Sequence, residues 1–308
     1  MRELDGNTSV RYMHFEKMLP SAQGMGIWEY YAFILYDTGT CGVYNLKTKD
    51  PNPIGYFSLG SYNDGVPTKD YLNHANSCMF GSKHLGNNPI PLLYVNTGTG
   101  TGYDQDGYYY RCAIENIICK VEACGERVFH AETVQVISYY PEGIEKTIYE
   151  QPCWGCPCWM VDTEKELLYM FSAQYRTTRG NVPDGERNRY IITTFRLPDL
   201  NAGKYVRLTA CDIIDQFSCE SDIQFTQGGT IIGKNLYYTF GCPRLNYPLR
   251  IAVFDLEKRE MSAIVDNLDI AFGYEEVECC AQYGGHLLCN TCDGSIFVVG
   301  EGVLPLGQ

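Results

Sequence analysis

"FTQGGTIIGKNLYYTFG" runs from Phe225 to Gly241, and a looser copy, "AQGMGIWEYYAFILYDTG", runs from Ala22 to Gly39. Each opens on a Gln-Gly step, continues as a largely apolar run, breaks, and resumes as an aromatic-rich run ending at Gly. Short β-branched and aromatic runs bounded by Gly, Asn and Asp read as antiparallel strands joined by tight turns. The first copy is followed by "CGVYNLKTK" and "IGYFSLG", the second by "LRIAVFDLEK" and "EMSAIVDNL". "VYNLKTK" (Val43 to Lys49) and "VFDLEKR" (Val253 to Arg259) both set an aromatic, a polar residue and Leu before a charged turn. Four antiparallel strands in a meander, returning every ~45–65 residues, are the pattern of a propeller blade.

The intervening stretches repeat the unit more loosely. "NSCMFG", "PLLYVNTG", "YYYRCAIENIIC" and "VFHAETVQVISYY" make one blade; "PCWMVDT", "ELLYMFSAQ", "NRYIITTFRL" and "KYVRLTA" make another. The last unit, "VECCAQY", "HLLCNTC" and "GSIFVVG", lacks a fourth strand. "SVRYMHFEKML" (9–19) supplies a spare one before the first unit. The expected fold is therefore all-β: a five-bladed β-propeller in which this N-terminal strand pairs with the C-terminal blade, so that neither edge stays open. The blades are read at 20–73, 74–151, 152–221, 222–274 and 275–308, in a single domain. Insertions at 98–107, 142–151 and 175–188 read as Gly- and charge-rich surface loops.

With 45% hydrophobic residues, a large core can be buried. The net charge of −13 disfavours nucleic acid and anionic membrane surfaces, which are bound through Lys and Arg. No run approaches the ~20 apolar residues of a membrane span, and "MRELDGNTSVRYMHFEKMLP" has no signal-peptide core. The expectation is a soluble, cytoplasmic monomer. In that reducing compartment its 15 cysteines read as thiols, several of them small buried hydrophobes within strands.

Polar residues on the innermost strands face the channel of a propeller and are candidates for a ligand site. Gln227 stands six residues before the turn glycine Gly233, and Glu278 six before Gly284. Gln23 opens the matching strand of the first blade. His74 and Asn76 fall in "HANSCMFG", Trp159 and Asp162 in "CPCWMVD". These positions are expected to converge at one mouth. Glu276, two residues before Glu278, shares its face. A carboxyl among amides, away from water, has a raised pKa and suits general acid–base work. Hydrolysis of a glycosidic bond needs a second carboxylate, for which Glu276 and Asp162 are the candidates.

Other chemistry is poorly supported. Cys153/Cys156 and Cys289/Cys292 have the ligand count of a four-cysteine zinc site, but they fall in non-adjacent blades, and no metal is assigned. "NTGTGTG" has no Lys after it and no helix to follow, so it fails as a phosphate loop. No cofactor is expected.

With its blades laid out, nearly the whole chain resembles a group of uncharacterised gut-bacterial five-bladed propellers. The likeness rests on "QGM…LYDTG…VYNLKTK", "HANSCMFG…PLLYVN" and "QGG…LRIAVFDLEK…EEVECC…YGGHLL". Such proteins carry the fold labels neuraminidase-like or glycosidase-like, which describe shape. The resemblance implies a carbohydrate-active, glycosidase-like protein with Glu278 and Glu276 as its carboxylates. Gln23, His74, Asn76, Trp159 and Gln227 would then contact the sugar. A narrower resemblance is to plant-type glutaminyl cyclases, five-bladed propellers with an "FTQG" strand in one blade and "FGEG" in the next. "FTQGG" here carries Gln227, and "FGYEEVE" leads to Glu278 one blade later. This likeness implies Gln227 as a binding group and Glu278 as the proton shuttle of a cyclisation. The second motif departs from "FGEG" at the aligned position, and the family's other site residues have no match. A propeller that binds without turnover is the third expectation.

Overall fold

The computed structural model describes residues 1–60, 75–97, 111–139, 158–174, 185–221 and 225–300. Strands β1 (Arg2–Asp5) and β2 (Val10–His14) precede the first blade, which comprises β3 (Ala22–Trp28), β4 (Tyr31–Tyr36), β5 (Thr40–Asn45) and β6 (Gly55–Ser58). The second blade holds β7 (Ser77–Phe80), β8 (Leu93–Thr97), β9 (Arg111–Val121) and β10 (Arg127–Tyr139). The third begins with β11 (Cys158–Asp162), β12 (Leu167–Ala173) and β13 (Asn188–Arg196); β14 (Tyr205–Leu208) and β15 (Ile213–Ser221) follow. The fourth has β16 (Thr226–Ile232), β17 (Asn235–Cys242), β18 (Tyr247–Asp255) and β19 (Glu260–Asp266). The fifth has β20 (Val277–Tyr283), β21 (His286–Thr291) and β22 (Ser295–Val298). These strands form five sheets, and the chain is a five-bladed β-propeller.

Side chains alternate across a strand, and both faces of each blade meet a neighbour. The second strands are therefore apolar nearly throughout. In β17, Leu236, Tyr238 and Phe240 pack on the third blade, while Tyr237 packs on the fifth. Five such cores fill the five interblade spaces. Phe171 stacks on Tyr238 across one of them, ring centroids 3.9 Å apart.

The ring closes through the N-terminus as expected. β2 pairs antiparallel with β22, with Val10 opposite Val298 and His14 opposite Ser295. Arg11 reaches back to Glu275 at 2.7 Å, and Glu275 also receives the hydroxyls of Thr291 (2.6 Å) and Ser295 (3.1 Å).

Two outer strands were not foreseen. The expectation that "KYVRLTA" completes the third blade is corrected: its strand, β14, pairs parallel with β10 at the edge of the second blade, and β15 completes the third. β1 likewise pairs parallel with β19 at the edge of the fourth blade. In both cases the chain clasps the preceding blade just before it supplies the outer strand of its own. Residues 98–107 and 142–151, and the loop at 175–188 as far as residue 184, lie outside the described residues.

At the axis the inner strands touch. Ser77 Oγ stands 3.4 Å from the amide nitrogen and from the carbonyl oxygen of Gly229 and 3.4 Å from Cys279 Sγ. The second blade thus meets the fourth and the fifth, neither of them its neighbour in the ring. This approach needs the Gln-Gly glycines. A Cβ on Gly24 would lie 2.9 Å from the Ser77 backbone, and one on Gly228 would lie 2.7 Å from the Glu278 carbonyl oxygen. Gly228→Ala is accordingly expected to lose about 1–3 kcal/mol by overpacking. A denaturant midpoint shifted no more than that of a surface Gly→Ala control would contradict this packing.

Glu115 is fully buried in β9. It accepts the Gly60 amide at 2.8 Å and the Thr133 hydroxyl, and so ties the first blade to the second. Burial pushes its pKa up to about 7, against those two hydrogen bonds and with a small contribution from Glu132. The folded state therefore holds this proton more tightly than the unfolded chain does. The stabilisation is complete below about 4.5 and lost as pH rises through about 7, on the order of 3 kcal/mol by linkage. Relative to Glu115→Gln, the native thermal midpoint is expected to fall between pH 5 and 8; parallel profiles would refute the assignment.

Candidate functional site

Among the described residues, three of the inner strands carry a β-bulge at the same place. One extra residue lies between Ala22 and Met25, between Thr226 and Gly229, and between Val277 and Cys279. Counted back from each hairpin, Gln23, Gln227 and Glu278 are equivalent residues. A bulge re-aims the side chain it carries and leaves its backbone groups unpaired in the ladder. Polar side chains on the second strands take up those groups. Thr239 Oγ1 donates to the Gly228 carbonyl at 2.7 Å, accepts the Gly228 amide at 3.2 Å, and lies 3.4 Å from the carbonyl oxygen of Glu278 in the next blade. Asn290, the residue equivalent to Thr239 in the fifth blade, donates to the Gln23 carbonyl at 2.5 Å. In the second blade, Asn96 Oδ1 accepts the Trp159 amide at 3.2 Å.

A second repeated contact closes the start of each of these strands. The amides of Asp37, Gly241 and Cys292 donate to the carbonyls of Ser21 (3.3 Å), Phe225 (2.9 Å) and Glu276 (3.0 Å). Glu276 and Cys292 are thereby held together, beside Glu278. One side-chain donor atom from each of Glu276, Glu278 and Cys292 lies within 4.8 Å of the others. Gln227 Nε2 donates to Glu276 Oε1 at 2.9 Å, which draws the fourth blade into the group. Arg244 pairs with Asp293 at the rim.

Glu278 is 3% exposed, and its carboxyl makes no hydrogen bond among the described residues. Burial, then the charges of Glu276, Asp37 and Asp293, push its pKa well above the carboxylate range, which favours the protonated acid. Burial and the same acidic surroundings push the Cys292 thiol up to about 12. Burial and Glu276 push Cys242 up to about 11. The three clustered donors have the spacing of a chelating set, and these shifts favour the protonated forms of Glu278 and Cys292, so an ion binding there would have to displace both protons.

The sequence-predicted residues therefore divide. Gln227, Glu276 and Glu278 meet, and Gln23 occupies the equivalent bulge one blade on. Asn76 is turned to Asn96, whose amide donates to it. Trp159 is corrected: its indole is buried between the second and third blades against Phe195 and faces no mouth. Asp162 is also corrected as a partner for Glu278. It ends β11 beside Gly233, at the far end of the inner strands, roughly 20 Å of strand from Gln227. His74, Cys153 and Cys156 lie outside the described residues. Sequence reasoning missed Cys292, Asp37 and Thr239. A signal for Thr239 and its equivalents exists, since "YVN", "YYTF" and "LCNT" each bring an Asn or Thr into an apolar second strand.

The fold and this acidic mouth define a class, a five-bladed β-propeller with a carboxyl-lined site at one end of a closed axis. No family model matches the chain, and no curated protein matches it. Solved structures similar to it include glutaminyl cyclase from Myxococcus xanthus, at 11% identity over 96% of this chain and 95% of that one, TM-score 0.48. Raptor from Chaetomium thermophilum is another, at 12% identity over 93% of this chain and 20% of that one, TM-score 0.37. Neither likeness is close enough to carry over the role of any residue. No described helix is long and apolar enough to cross a membrane.

Thr239→Val keeps the shape of the side chain and removes the hydroxyl that bonds two bulges. A loss of about 1–3 kcal/mol is expected from buried groups left unpaired, with Thr239→Ser close to native. Equal thermal midpoints for the valine and serine variants would show that the hydroxyl does not hold the bulges.

Proposed function

We propose that the mouth formed by Gln227, Glu276 and Glu278 is an acid–base site that cyclises an N-terminal glutamine residue with release of ammonia. The observation that carries this reading is the convergence of the three groups. A buried carboxyl without a hydrogen-bond partner among the described residues lies beside a second carboxyl, which an amide from the next blade holds in place. That arrangement suits the shuttling of one proton within a small space. The α-amine nitrogen attacks the side-chain amide carbon and the ring C–N bond forms. Glu278 hands its proton to the departing amide nitrogen, the old C–N bond breaks, and Glu278 recovers a proton from the attacking amine. The carboxyl ends as it began, and ammonia leaves. Gln227 and the acidic wall serve the polar amide and the amine of the substrate. No cofactor and no nucleic acid enters the reading, and the partner is a small molecule or a peptide amino terminus.

Of the two carboxylates considered as partners of Glu278 in a glycosidase, Glu276 is the one beside it, with one oxygen of each within 4.8 Å. Asp162, the other carboxylate considered, stands at the opposite mouth.

The test is incubation with peptides beginning in glutamine, read by mass spectrometry for loss of ammonia. Turnover is expected, and Glu278→Gln should lower kcat by about 10²–10⁴-fold. Since the working form of Glu278 is protonated, the rate should fall as pH rises through its raised pKa. Absence of turnover in the native protein, or native turnover in Glu278→Gln, would overturn the proposal. Saturable peptide binding with no product would leave a binding propeller instead.

A further inference from the structure

The far end of the inner strands holds a second cavity, of about 330 Å³. Its floor is apolar, formed by Met79 and Phe80 at the end of β7, Val161 at the end of β11 and Ile231 near the end of β16. Three blades thus contribute to it. The Ser77–Gly229–Cys279 contact lies between it and the Glu278 mouth, so the two are separate sites. Its volume is at the low end of the range for small-molecule pockets and suits roughly ten non-hydrogen atoms.

The polar wall supplies the second half of the argument. Asp162 lines the cavity with a side chain only 10% exposed, and its one charged partner among the described residues is Lys165, whose side chain is half exposed. Asp162 Oδ1 accepts the Lys165 amide at 3.0 Å, which fixes the carboxylate. Its other oxygen, Oδ2, lies 3.5 Å from Lys165 Nζ, beyond the ~2.7–2.9 Å of a tight charge-assisted hydrogen bond. Such a pair, made with a flexible exposed lysine, gains little. Glu164 adds a further negative charge to the rim. The nearby hydroxyls are already engaged, since Ser82 Oγ and Thr163 Oγ1 lie 2.7 Å apart and the Ser82 amide also donates to Thr163. The group best placed to take a ligand is therefore the second oxygen of Asp162, above an apolar floor that includes an aromatic ring.

We propose that this cavity binds a small amphipathic ammonium ion, an organic amine whose cationic head displaces Lys165 Nζ from Asp162 and whose apolar body covers Phe80 and Ile231. An anion would meet Asp162 and Glu164, and a neutral molecule would leave the weak Asp162–Lys165 pair as it is.

Phenethylammonium is the probe, with 2-phenylethanol as its neutral match, each titrated into the full chain and followed by calorimetry. Saturable binding of the amine is expected, at least tenfold tighter than that of the alcohol. Asp162→Asn can still accept the Lys165 amide and so keeps the turn; it should weaken the amine tenfold or more. Ile231→Trp, which fills the cavity without touching the charge, should abolish binding while the thermal midpoint shows a folded ring. Glu278→Gln should leave binding unchanged. Equal affinity for amine and alcohol, indifference to Asp162→Asn or to Ile231→Trp, or loss of binding in Glu278→Gln would each overturn the assignment.

Discussion

The meeting of Ser77, Gly229 and Cys279 at the axis is the constraint on which the rest of the molecule depends. Blades that are not neighbours touch there, so the ring has no continuous channel at that level. The five wedges must come close enough for backbone to meet backbone. The interblade cores set how near each pair of blades can lie, and the glycines of the Gln-Gly steps remove the side chains that would hold the inner strands apart. The repeat in the sequence is thus first a packing device. Its glycine half serves the axis, and only its glutamine half is free for chemistry.

The bulges follow from the same crowding. An inner strand that carries one extra residue bends and turns a polar side chain toward the mouth, but it leaves backbone groups without ladder partners. Burying such groups unpaired would cost more than any one side chain could return. Thr239 and Asn290 meet that demand from the second strand and, in doing so, couple each blade to the inner strand of the next. The position of Glu278 is therefore set by a residue of the fourth blade as well as by its own strand. That dependence explains how a carboxyl can be held in an apolar, acidic setting that raises its pKa.

Much of this was legible in the chain. The six-residue count back from Gly233 and Gly284 finds Gln227 and Glu278 because a tight hairpin fixes register, and the bulge falls at the same step in both blades. The closing strand was legible because the last unit is one strand short. The clasps were not. "KYVRLTA" has the composition of an outer strand, and composition cannot say which of two adjacent blades it joins. Trp159 and Asp162 were misread because a five-residue inner strand points alternate residues to different spaces and ends at the other mouth; without a turn glycine to count from, neither fact is visible. Cys292 was seen only as half of a Cys-x-x-Cys pair. Its meeting with Glu276 comes from a strand-end hydrogen bond that no local spacing encodes.

The two ends of the axis differ for a physical reason. At the strand starts, bulges and blade-to-blade connections leave polar groups to be satisfied, so amides, carboxyls and hydroxyls collect there. At the strand ends, short turns such as the one after Ile232 satisfy their own backbone, and apolar residues such as Phe80, Val161 and Ile231 can cover the opening. Charge is what the ends share. Asp37, Glu276 and Asp293 gather around the protonated Glu278 at one, and Asp162 and Glu164 at the other. The net charge of −13 is thus expressed at both openings. A field of that sign repels phosphates and carboxylates from either mouth and draws in neutral or cationic molecules. Both proposals use that field: an amine is the substrate group proposed for one end and the ligand proposed for the other.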